Sequence, residues 1–247
     1  MPKVLVGTLY SGEAEFQRSS RSIESQEECL VTHRVIQGLS EYKAHNELWE
    51  LFNDEGSGHE LLVKIDADTI LGSHIVFKTV HKLLLPTKFD GVQLDLFDQL
   101  SESRIKGMGF FRPSVYFRKS RSRLFADRAI DRRKFQIADG KTLGYLDVVG
   151  IHSPTPHERQ AFRYGFHRIK KGQFELMNKV IGAWENSGDE RRAWAIAGAI
   201  HGIKGRHFSV SYNSWSVENS FRKIKRMGLS EFLIDNASQL QKIRSYA

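Results

Sequence analysis

The apolar positions change their spacing repeatedly over the first 170 residues. Short apolar runs have the length of buried strands and occupy residues 4–9, 31–39, 61–65, 89–97 and 145–151. The stretches between them place apolar side chains at helical spacing, at residues 13–26, 44–52, 75–84 and 158–169. Because strands and helices alternate, the pattern predicts an α/β fold in which a sheet is flanked by helices.

The pattern changes beyond residue 171, where apolar residues recur only at helical spacing. These stretches occupy residues 174–184, 190–203, 217–227 and 229–243. We therefore expect an α/β domain over residues 1–171 and a helical C-terminal subdomain over residues 172–247. Two local signals mark helix starts. Ser73 is placed to cap the helix at residues 75–84, and Thr155-Pro156-His157-Glu158 has the form of a capping box with proline at the first helical position.

Two carboxylates follow the most apolar of the predicted strands. Residues 61–65 are interrupted only by Lys64, and Asp66 and Asp68 come directly afterwards. Side chains at positions i and i+2 of a strand point the same way, so both carboxylates can face one site at the carboxyl end of the strand. Open α/β sheets bind their ligands at that end. Two oxygen donors there suit Mg²⁺ or Mn²⁺, which neutralises a diphosphate.

Asp66-Ala67-Asp68 at a strand end resembles the Asp-X-Asp signature of glycosyltransferases with the GT-A fold. The start of the chain is similar to that family as well. Thr8-Leu9-Tyr10 follows the first strand, and Ser22-Ile23-Glu24-Ser25-Gln26 resembles a phrase at the end of the first helix, one residue short. Many members carry an acidic pair after the second strand, where this chain has only Glu41, so recognition of the base is unassigned.

The resemblance implies a GT-A-like mixed sheet of the Rossmann type and transfer of a sugar from a nucleotide-diphosphate donor to an acceptor hydroxyl. The donor-binding residues it implies are Thr8, Tyr10, Glu13, Lys64 and Asp66. The implied metal ligands, for Mn²⁺ or Mg²⁺, are Asp68 directly, Asp66 directly or through water, and His152 from a late loop, with His157 and His167 as substitutes.

The catalytic base is less well defined by the sequence. An inverting transfer needs a carboxylate near the acceptor hydroxyl, whereas a retaining transfer need not have one. Asp127 and Asp139 lie in the interval where the resembled family often places this base, as do Asp131 and Asp147. Asp139 lies in a predicted loop and Asp147 within a predicted strand, so Asp139 is the more accessible of the two. The stereochemistry stays open.

Composition narrows the class of partner. The chain has 247 residues and a net charge of +8, which favours anionic partners such as nucleotide phosphates, anionic lipid headgroups or nucleic acid. The basic excess is concentrated in residues 118–134, either as a solvated helix face or as a surface facing phosphates or a membrane.

The single cysteine, Cys29, excludes an internal disulfide and fits a reducing compartment. No stretch has the length of a membrane span, and no signal peptide is visible. We expect a cytoplasmic enzyme, with a peripheral contact at the inner face of the membrane as an option. Its acceptor would be a glycan or a lipid-linked precursor in cell-surface polysaccharide synthesis.

Three other functions share part of this pattern. A haloacid-dehalogenase-type phosphohydrolase also places Asp-X-Asp after a strand, but that class has Thr or Val two residues after the second Asp, where this chain has Ile70. A Mg²⁺-dependent nucleotidyltransferase usually has a glycine-rich phosphate loop after the first strand, and residues 8–12 do not form one. A nucleic-acid-binding protein would use residues 118–134, although no recognised motif accompanies them.

Overall fold

The computed structural model describes residues 1–204 and 214–246. The chain divides into two compact units. The first comprises Met1–Asp98, Arg104–Ser122 and Ala126–Pro154, and the second comprises Gln99–Ser103, Arg123–Phe125 and Thr155–Ala247. The first unit thus ends before the expected boundary at residue 171, because the helix that begins at Glu158 belongs to the second unit.

A mixed β-sheet forms the centre of the first unit. The strands within the described residues are β1 (Lys3–Tyr10), β2 (Leu30–Gln37), β3 (Leu61–Asp66), β4 (Thr69–Leu71), β5 (Gly91–Asp98), β6 (Ser103–Phe111), β7 (Ile137–Asp139) and β8 (Gly150–His152). Their order is β2-β1-β3-β6-β5-β8-β4, and β7 pairs with β5. β1 runs parallel to β2 and β3, β5 runs parallel to β7 and β8, and β3–β6 and β4–β8 are antiparallel.

Helices cover both faces of this sheet, as side-chain alternation along the strands requires. They are α1 (Phe16–Glu24), α2 (Glu41–Glu55) and α3 (Val76–Leu84). Val4 and Val6 of β1 pack in one buried cluster with residues of α1 and α3, whereas Leu5 packs in a second cluster with Leu48 and Phe52 of α2. The predicted architecture, a mixed sheet flanked by helices and followed by C-terminal helices, is confirmed.

The last predicted strand is much shorter than expected. Residues 145–149 form no strand, and β8 contains only Gly150–His152. A side chain on Gly150 would collide with the backbone carbonyl of Ile70, so glycine permits the close antiparallel pairing of β8 with β4. The apolar run gave the position of the strand end but not its length.

The basic segment at residues 118–134 is not a helix. Its backbone is instead held against α2 by polar side chains from one helix face. Asn53 exchanges two hydrogen bonds with Phe117, at 2.8 and 2.9 Å, and Trp49 donates to the Ala126 carbonyl at 3.2 Å. Asn46 accepts a hydrogen bond from the Ser120 backbone at 2.7 Å. The interpretation as a solvated helix face is therefore wrong, because these bonds satisfy the backbone without helical pairing.

The part of the second unit that begins at Glu158 contains only helices and their connections in its described residues, as predicted for the C-terminal region. It contains α4 (Glu158–Lys170), α5 (Phe174–Ser187), α6 (Glu190–Lys204), α7 (Trp215–Met227), α8 (Leu229–Asp235) and α9 (Ala237–Ser245). The single helix expected over residues 229–243 is two helices, separated at Asn236, whose side chain donates to the Phe232 carbonyl at 2.7 Å. Within residues 1–204 and 214–246, none of the helices is both long and apolar enough to cross a bilayer.

Both predicted caps are corrected by the structure. The residue that caps α4 is His157, whose ring Nδ1 accepts a hydrogen bond from the Gln160 backbone at 3.0 Å, so Thr155 and Pro156 precede the helix. The residue before α3 is Ile75, without a side-chain cap, and Ser73 only accepts a hydrogen bond from the Ile75 backbone at 3.4 Å.

Candidate active site

Asp68 lies in a tight turn between two strands. β3 ends at Asp66, and β4 begins at Thr69, so the strand alternation that was expected to align Asp66 with Asp68 stops two residues before Asp68. The turn brings Asp68 against Ser153. The Ser153 backbone donates to the Asp68 carbonyl at 2.8 Å, and its hydroxyl donates to Asp68 Oδ2 at 2.5 Å. Ser153 has a φ of +48°, a conformation that non-glycine residues rarely adopt.

His152 faces the same turn from the end of β8. It pairs in register with Thr69 of β4 on one side and with Asp98 of β5 on the other. Its Nδ1 lies 2.7 Å from Oδ1 of Asp98, whose side chain is 0% exposed. Since an ionised carboxylate can only accept, Nδ1 carries the hydrogen. Nε2 is thereby turned towards Asp68, with 3.6 Å between Nε2 and Oδ2.

Asp66 makes an ion pair with Lys64, two residues before it on β3. Lys64 Nζ lies 2.6 Å from Asp66 Oδ1, and the side chains are 13% and 40% exposed. Both side chains alternate in phase with Leu62, which packs against α2. Burial raises the pKa of Asp66, but the charge and hydrogen bond of Lys64 more than offset this and hold the pKa below its ordinary value. Burial by itself lowers the pKa of Lys64, but the charge and hydrogen bond of Asp66 raise it by more, so the pKa of Lys64 lies above its ordinary value.

Two further titratable groups act on this ion pair. His45 of α2 is buried, and its Nδ1 donates to the Glu41 carbonyl at 2.9 Å. Burial, followed by the Lys64 charge, lowers the pKa of His45 to about 4, so this imidazole is neutral at neutral pH. The Asp127 carboxylate contributes to the raised pKa of Lys64. It also raises the pKa of His45, although burial has the larger, opposite effect on that imidazole. Asp127 is exposed and therefore presents a solvent-accessible carboxylate near Lys64 and Asp66.

The segment after β1 supplies another part of the site. Glu13 accepts hydrogen bonds from the Ser11 backbone at 2.7 Å and from the Ser11 hydroxyl at 2.5 Å. Burial raises the pKa of Glu13, and the negative charge of Asp68 adds to the rise, so the two carboxylates are close enough to interact electrostatically. Tyr10 stacks on Phe16 with 4.2 Å between the ring centroids.

Thr8, one of the expected donor-binding residues, is buried within the sheet. It is 0% exposed, and its hydroxyl lies 3.0 Å from Nε2 of His33 on the neighbouring strand. This hydrogen bond links β1 to β2 and gives Thr8 a structural role in the sheet.

Asp139 is separated from the other candidates. It pairs with Gln93 of β5, five residues before Asp98, which corresponds to about 16 Å along the strand. Its carboxylate accepts hydrogen bonds from the Thr142 backbone at 2.8 Å and from the Thr142 hydroxyl at 2.9 Å. These bonds lower the pKa of Asp139. The carboxylate thus supports the short 3₁₀ turn at Lys141–Leu143.

The substitute histidines both belong to the second unit. His157 caps α4 through its ring nitrogen, as described above, and His167 is 5% exposed within the same helix. Neither is placed with Asp68 in the first unit.

The donor set fits a divalent ion that is held partly by its substrate. Among residues 1–204 and 214–246, no group of three or more His, Cys, Asp or Glu side chains forms a ready-made metal centre. Asp68 and His152 offer one oxygen and one nitrogen 3.6 Å apart, and two ligands of one ion typically lie about 3.0–3.4 Å from each other. Mg²⁺-type sites commonly use one or two protein ligands and complete their coordination with substrate phosphates and water.

The buried contact between His152 and Asp98 strengthens this fit. Histidines that bind metals usually donate their second ring N–H to a carboxylate or carbonyl, which fixes the ring and raises its basicity. Asp66, the third expected ligand, is instead held by Lys64.

Three residues of this site were not expected from the sequence. Asp98 ends an apolar strand in the same way that Asp66 does, and that signal could have identified it. Ser153 gives no local signal, since its role depends on the pairing of β4 with β8. His45 lies at an ordinary helix position, and only the packing of α2 over Lys64 makes it relevant.

Comparison with known proteins gives a limited result. No family model matches the chain, and no curated protein sequence matches it. Among solved structures, the chain is similar to a mannosyltransferase from Pyrobaculum calidifontis in complex with GDP-mannose and Mn²⁺, with a TM-score of 0.46, 12% identity, and coverage of 97% of this chain and 84% of that one. It is also similar to A197 from STIV, with a TM-score of 0.33, 12% identity, and coverage of 53% and 70%.

Proposed function

We propose that the protein is a metal-dependent glycosyltransferase that moves a sugar from a nucleotide-diphosphate donor to an acceptor hydroxyl. The observation that carries this proposal is the convergence of Asp68 and His152 at the strand ends, with 3.6 Å between their side chains and with His152 held by the buried Asp98. These groups suit Mn²⁺ or Mg²⁺, and the mixture of imidazole and oxygen ligands favours Mn²⁺ at least as much as Mg²⁺.

The roles of the residues follow from their surroundings. Asp68 and His152 would hold the ion, which when bound stabilises the charge on a departing diphosphate. Ser153 fixes the Asp68 carboxylate by its 2.5 Å hydrogen bond. The Lys64 ammonium is held beside Asp66 and would attract the diphosphate. Asp66 favours the charged form of Lys64, and we propose that it contacts the ribose.

Of the two expected bases, Asp127 is supported by its position. It is exposed and acts electrostatically on Lys64, whereas Asp139 caps a turn beside Gln93, about 16 Å along β5 from Asp98. In an inverting transfer, the acceptor hydroxyl would give its proton to Asp127 while its oxygen forms a bond to the anomeric carbon. The bond between that carbon and the diphosphate oxygen breaks, and its electron pair leaves with the nucleoside diphosphate.

The acceptor we propose is a glycan or a lipid-linked precursor, with a role in cell-surface polysaccharide synthesis. The net charge of +8 supports anionic partners, including a peripheral contact with an anionic membrane.

The proposal is tested by screening UDP-, GDP- and dTDP-sugars for release of the nucleoside diphosphate, with and without Mn²⁺. We expect release from one donor class, loss of release in Asp68→Ala, and normal release in Asp54→Asn, which changes an exposed carboxylate of α2 in the same unit. Hydrolysis of phosphomonoesters without any sugar transfer would favour a phosphohydrolase. Release of pyrophosphate from nucleoside triphosphates would favour a nucleotidyltransferase.

A further inference from the structure

α7 is an amphipathic helix whose outward face combines cations with an aromatic anchor. Its inward face is formed by Val217, Phe221 and Ile224, which are buried in the core of the second unit. The opposite side exposes four basic residues, Arg222, Lys223, Lys225 and Arg226, and the helix contains one acidic residue, Glu218. Its first residue, Trp215, is 80% exposed, which is the highest exposure of any large apolar side chain in the described residues.

The aromatic side chain and two of the cations lie along one line. At 3.6 residues per turn, positions 7 and 11 residues after Trp215 point within about 20° of the same direction. These positions hold Arg222 and Arg226, so the stripe runs for about 16 Å along the helix. Two of the four cations are ion-paired, Arg222 with Glu218 at 3.2 Å and Lys225 with Glu158 at 2.5 Å. Arg159 of α4 shares the Glu218 carboxylate at 2.8 Å, so this one acidic residue does not cancel the positive charge of the stripe.

We infer that this face of α7 docks the protein on an anionic lipid bilayer. Anionic headgroups attract a row of Arg and Lys side chains, and an indole sits favourably at the boundary between headgroups and acyl chains. Single-stranded nucleic acid would instead need several aromatic side chains for successive bases. α7 exposes only Trp215, since its other aromatic residue, Phe221, is buried.

The basic segment at residues 118–134 is the rival surface. Two of its cations are ion-paired, as two are on α7: Arg118 with Asp131 at 2.8 Å and Lys119 with Glu50 at 3.6 Å. It differs from α7 in its one aromatic side chain, Phe125, which is half-buried, whereas Trp215 is exposed. The inference rests on the proposed function in one respect: a lipid-linked acceptor would give the membrane contact its purpose. The binding itself is measured without donor or acceptor, so its failure is separate from any failure of the glycosyltransferase proposal.

The test is sedimentation of the full-length protein with vesicles of phosphatidylglycerol and phosphatidylcholine at low and high salt. Each cation near an anionic surface contributes about fivefold to the partition coefficient, so Arg222→Gln/Arg226→Gln should lower it about 25-fold. The matched control is Arg132→Gln/Arg133→Gln, which removes the same charge from the exposed basic segment of the first unit and should change it less than threefold.

Trp215 provides a second, independent measurement. The other tryptophans, Trp49, Trp184 and Trp194, are buried or half-buried, so a blue shift of fluorescence on vesicle binding should disappear in Trp215→Phe. Thermal unfolding of each variant checks that the fold is retained. Equal loss of binding in the control pair would overturn the inference. Retention of vesicle binding and of the blue shift in both α7 variants would also overturn it. So would binding to single-stranded DNA that is tighter than binding to anionic vesicles and that is abolished by the α7 mutations.

Discussion

Nδ1 of His152 lies 2.7 Å from Oδ1 of Asp98, and the two residues are register partners at the ends of adjacent parallel strands. The pair determines which ring nitrogen faces Asp68. Because Asp98 is completely buried at the end of β5, the orientation of the ring is set by the sheet rather than by an exposed loop.

The first prediction concerns Asp98. In Asp98→Asn the amide oxygen is a weaker acceptor, and the amide N–H favours the wrong tautomer of His152. We expect Mn²⁺-dependent nucleotide binding to weaken about 10–100-fold, as for other second-sphere partners of metal-binding histidines. The control is Asp95→Asn on the same strand, whose carboxylate pairs with Lys106 at 2.8 Å. Equal effects of the two variants would show that Asp98 has no specific role.

The second prediction separates the two contributions of Ser153. Ser153→Ala and Ser153→Gly both remove the hydroxyl that holds Asp68, so both should weaken Mn²⁺-dependent nucleotide binding to the same degree. Glycine adopts the positive φ of +48° without strain and alanine does not, so Ser153→Gly should be more stable than Ser153→Ala by about 1 kcal/mol. Urea unfolding measures the stability difference. If glycine restores nucleotide binding, the hydrogen bond to Asp68 is not what matters.

The fold could be predicted well from the sequence because the periodicities that define its strands and helices are local features of the chain. Alternation of Val4, Leu5 and Val6 between two clusters follows from strand geometry, and the same regularity placed β3 and the carboxylates after it. The site was predicted less completely, because its contacts join distant parts of the chain. Asp98 and His152 are 54 residues apart, and Ser153 is 85 residues from Asp68.

The two carboxylates after β3 illustrate the same limit. The sequence treats Asp66 and Asp68 as equivalent, but the strand ends between them. Asp66 stays on the face that α2 covers and pairs with Lys64, whereas Asp68 turns towards β8. Where a strand ends within a turn depends on the partner strands, and the 3-residue β8 is too short for its pattern to reveal this.

The third prediction concerns the pH dependence that Asp66 adds to stability. A carboxyl group whose pKa is depressed on folding stabilises the protein above its unfolded pKa, and this contribution is lost as the pH falls through the folded pKa. The wild type should therefore lose stability on acidification below about pH 4, near the ordinary Asp value, and Asp66→Asn should lose less over the same range.

At neutral pH, Asp66→Asn removes the nearest carboxylate from the Lys64 ammonium, whose side chain is 13% exposed. This should cost about 1–3 kcal/mol, less than for a fully buried pair because Asp66 is 40% exposed. The double variant Lys64→Met/Asp66→Asn should recover part of that loss. Urea unfolding at pH 3 and pH 7 measures both effects. An Asp66→Asn protein as stable as the wild type at pH 7 would contradict the role of the ion pair.

The fourth prediction concerns His201, which stacks on Phe162 and Phe166 in the second unit. Burial, followed by the charges of Lys170 and Lys204, lowers the pKa of His201 to about 4. Between pH 6.5 and 4 the unfolded chain binds the proton and the folded chain does not, so stability falls as the pH falls, by up to about 3 kcal/mol. His201→Gln should remove this contribution and leave that of His45, whose pKa is also lowered to about 4, whereas His74→Gln, at an exposed histidine, should leave the slope unchanged. Equal slopes in the wild type and His201→Gln would contradict the prediction.

The central claim is that Asp68 and His152 hold a divalent ion together with the donor diphosphate. Its most direct test is calorimetric titration of UDP and GDP, each with and without Mn²⁺, into the wild type, Asp68→Ala and His152→Ala. We expect one nucleotide to bind the wild type at least tenfold more tightly with Mn²⁺, and we expect this Mn²⁺ effect to be lost in both variants while their thermal unfolding stays cooperative. Mn²⁺-enhanced binding that persists unchanged in both variants would contradict the account.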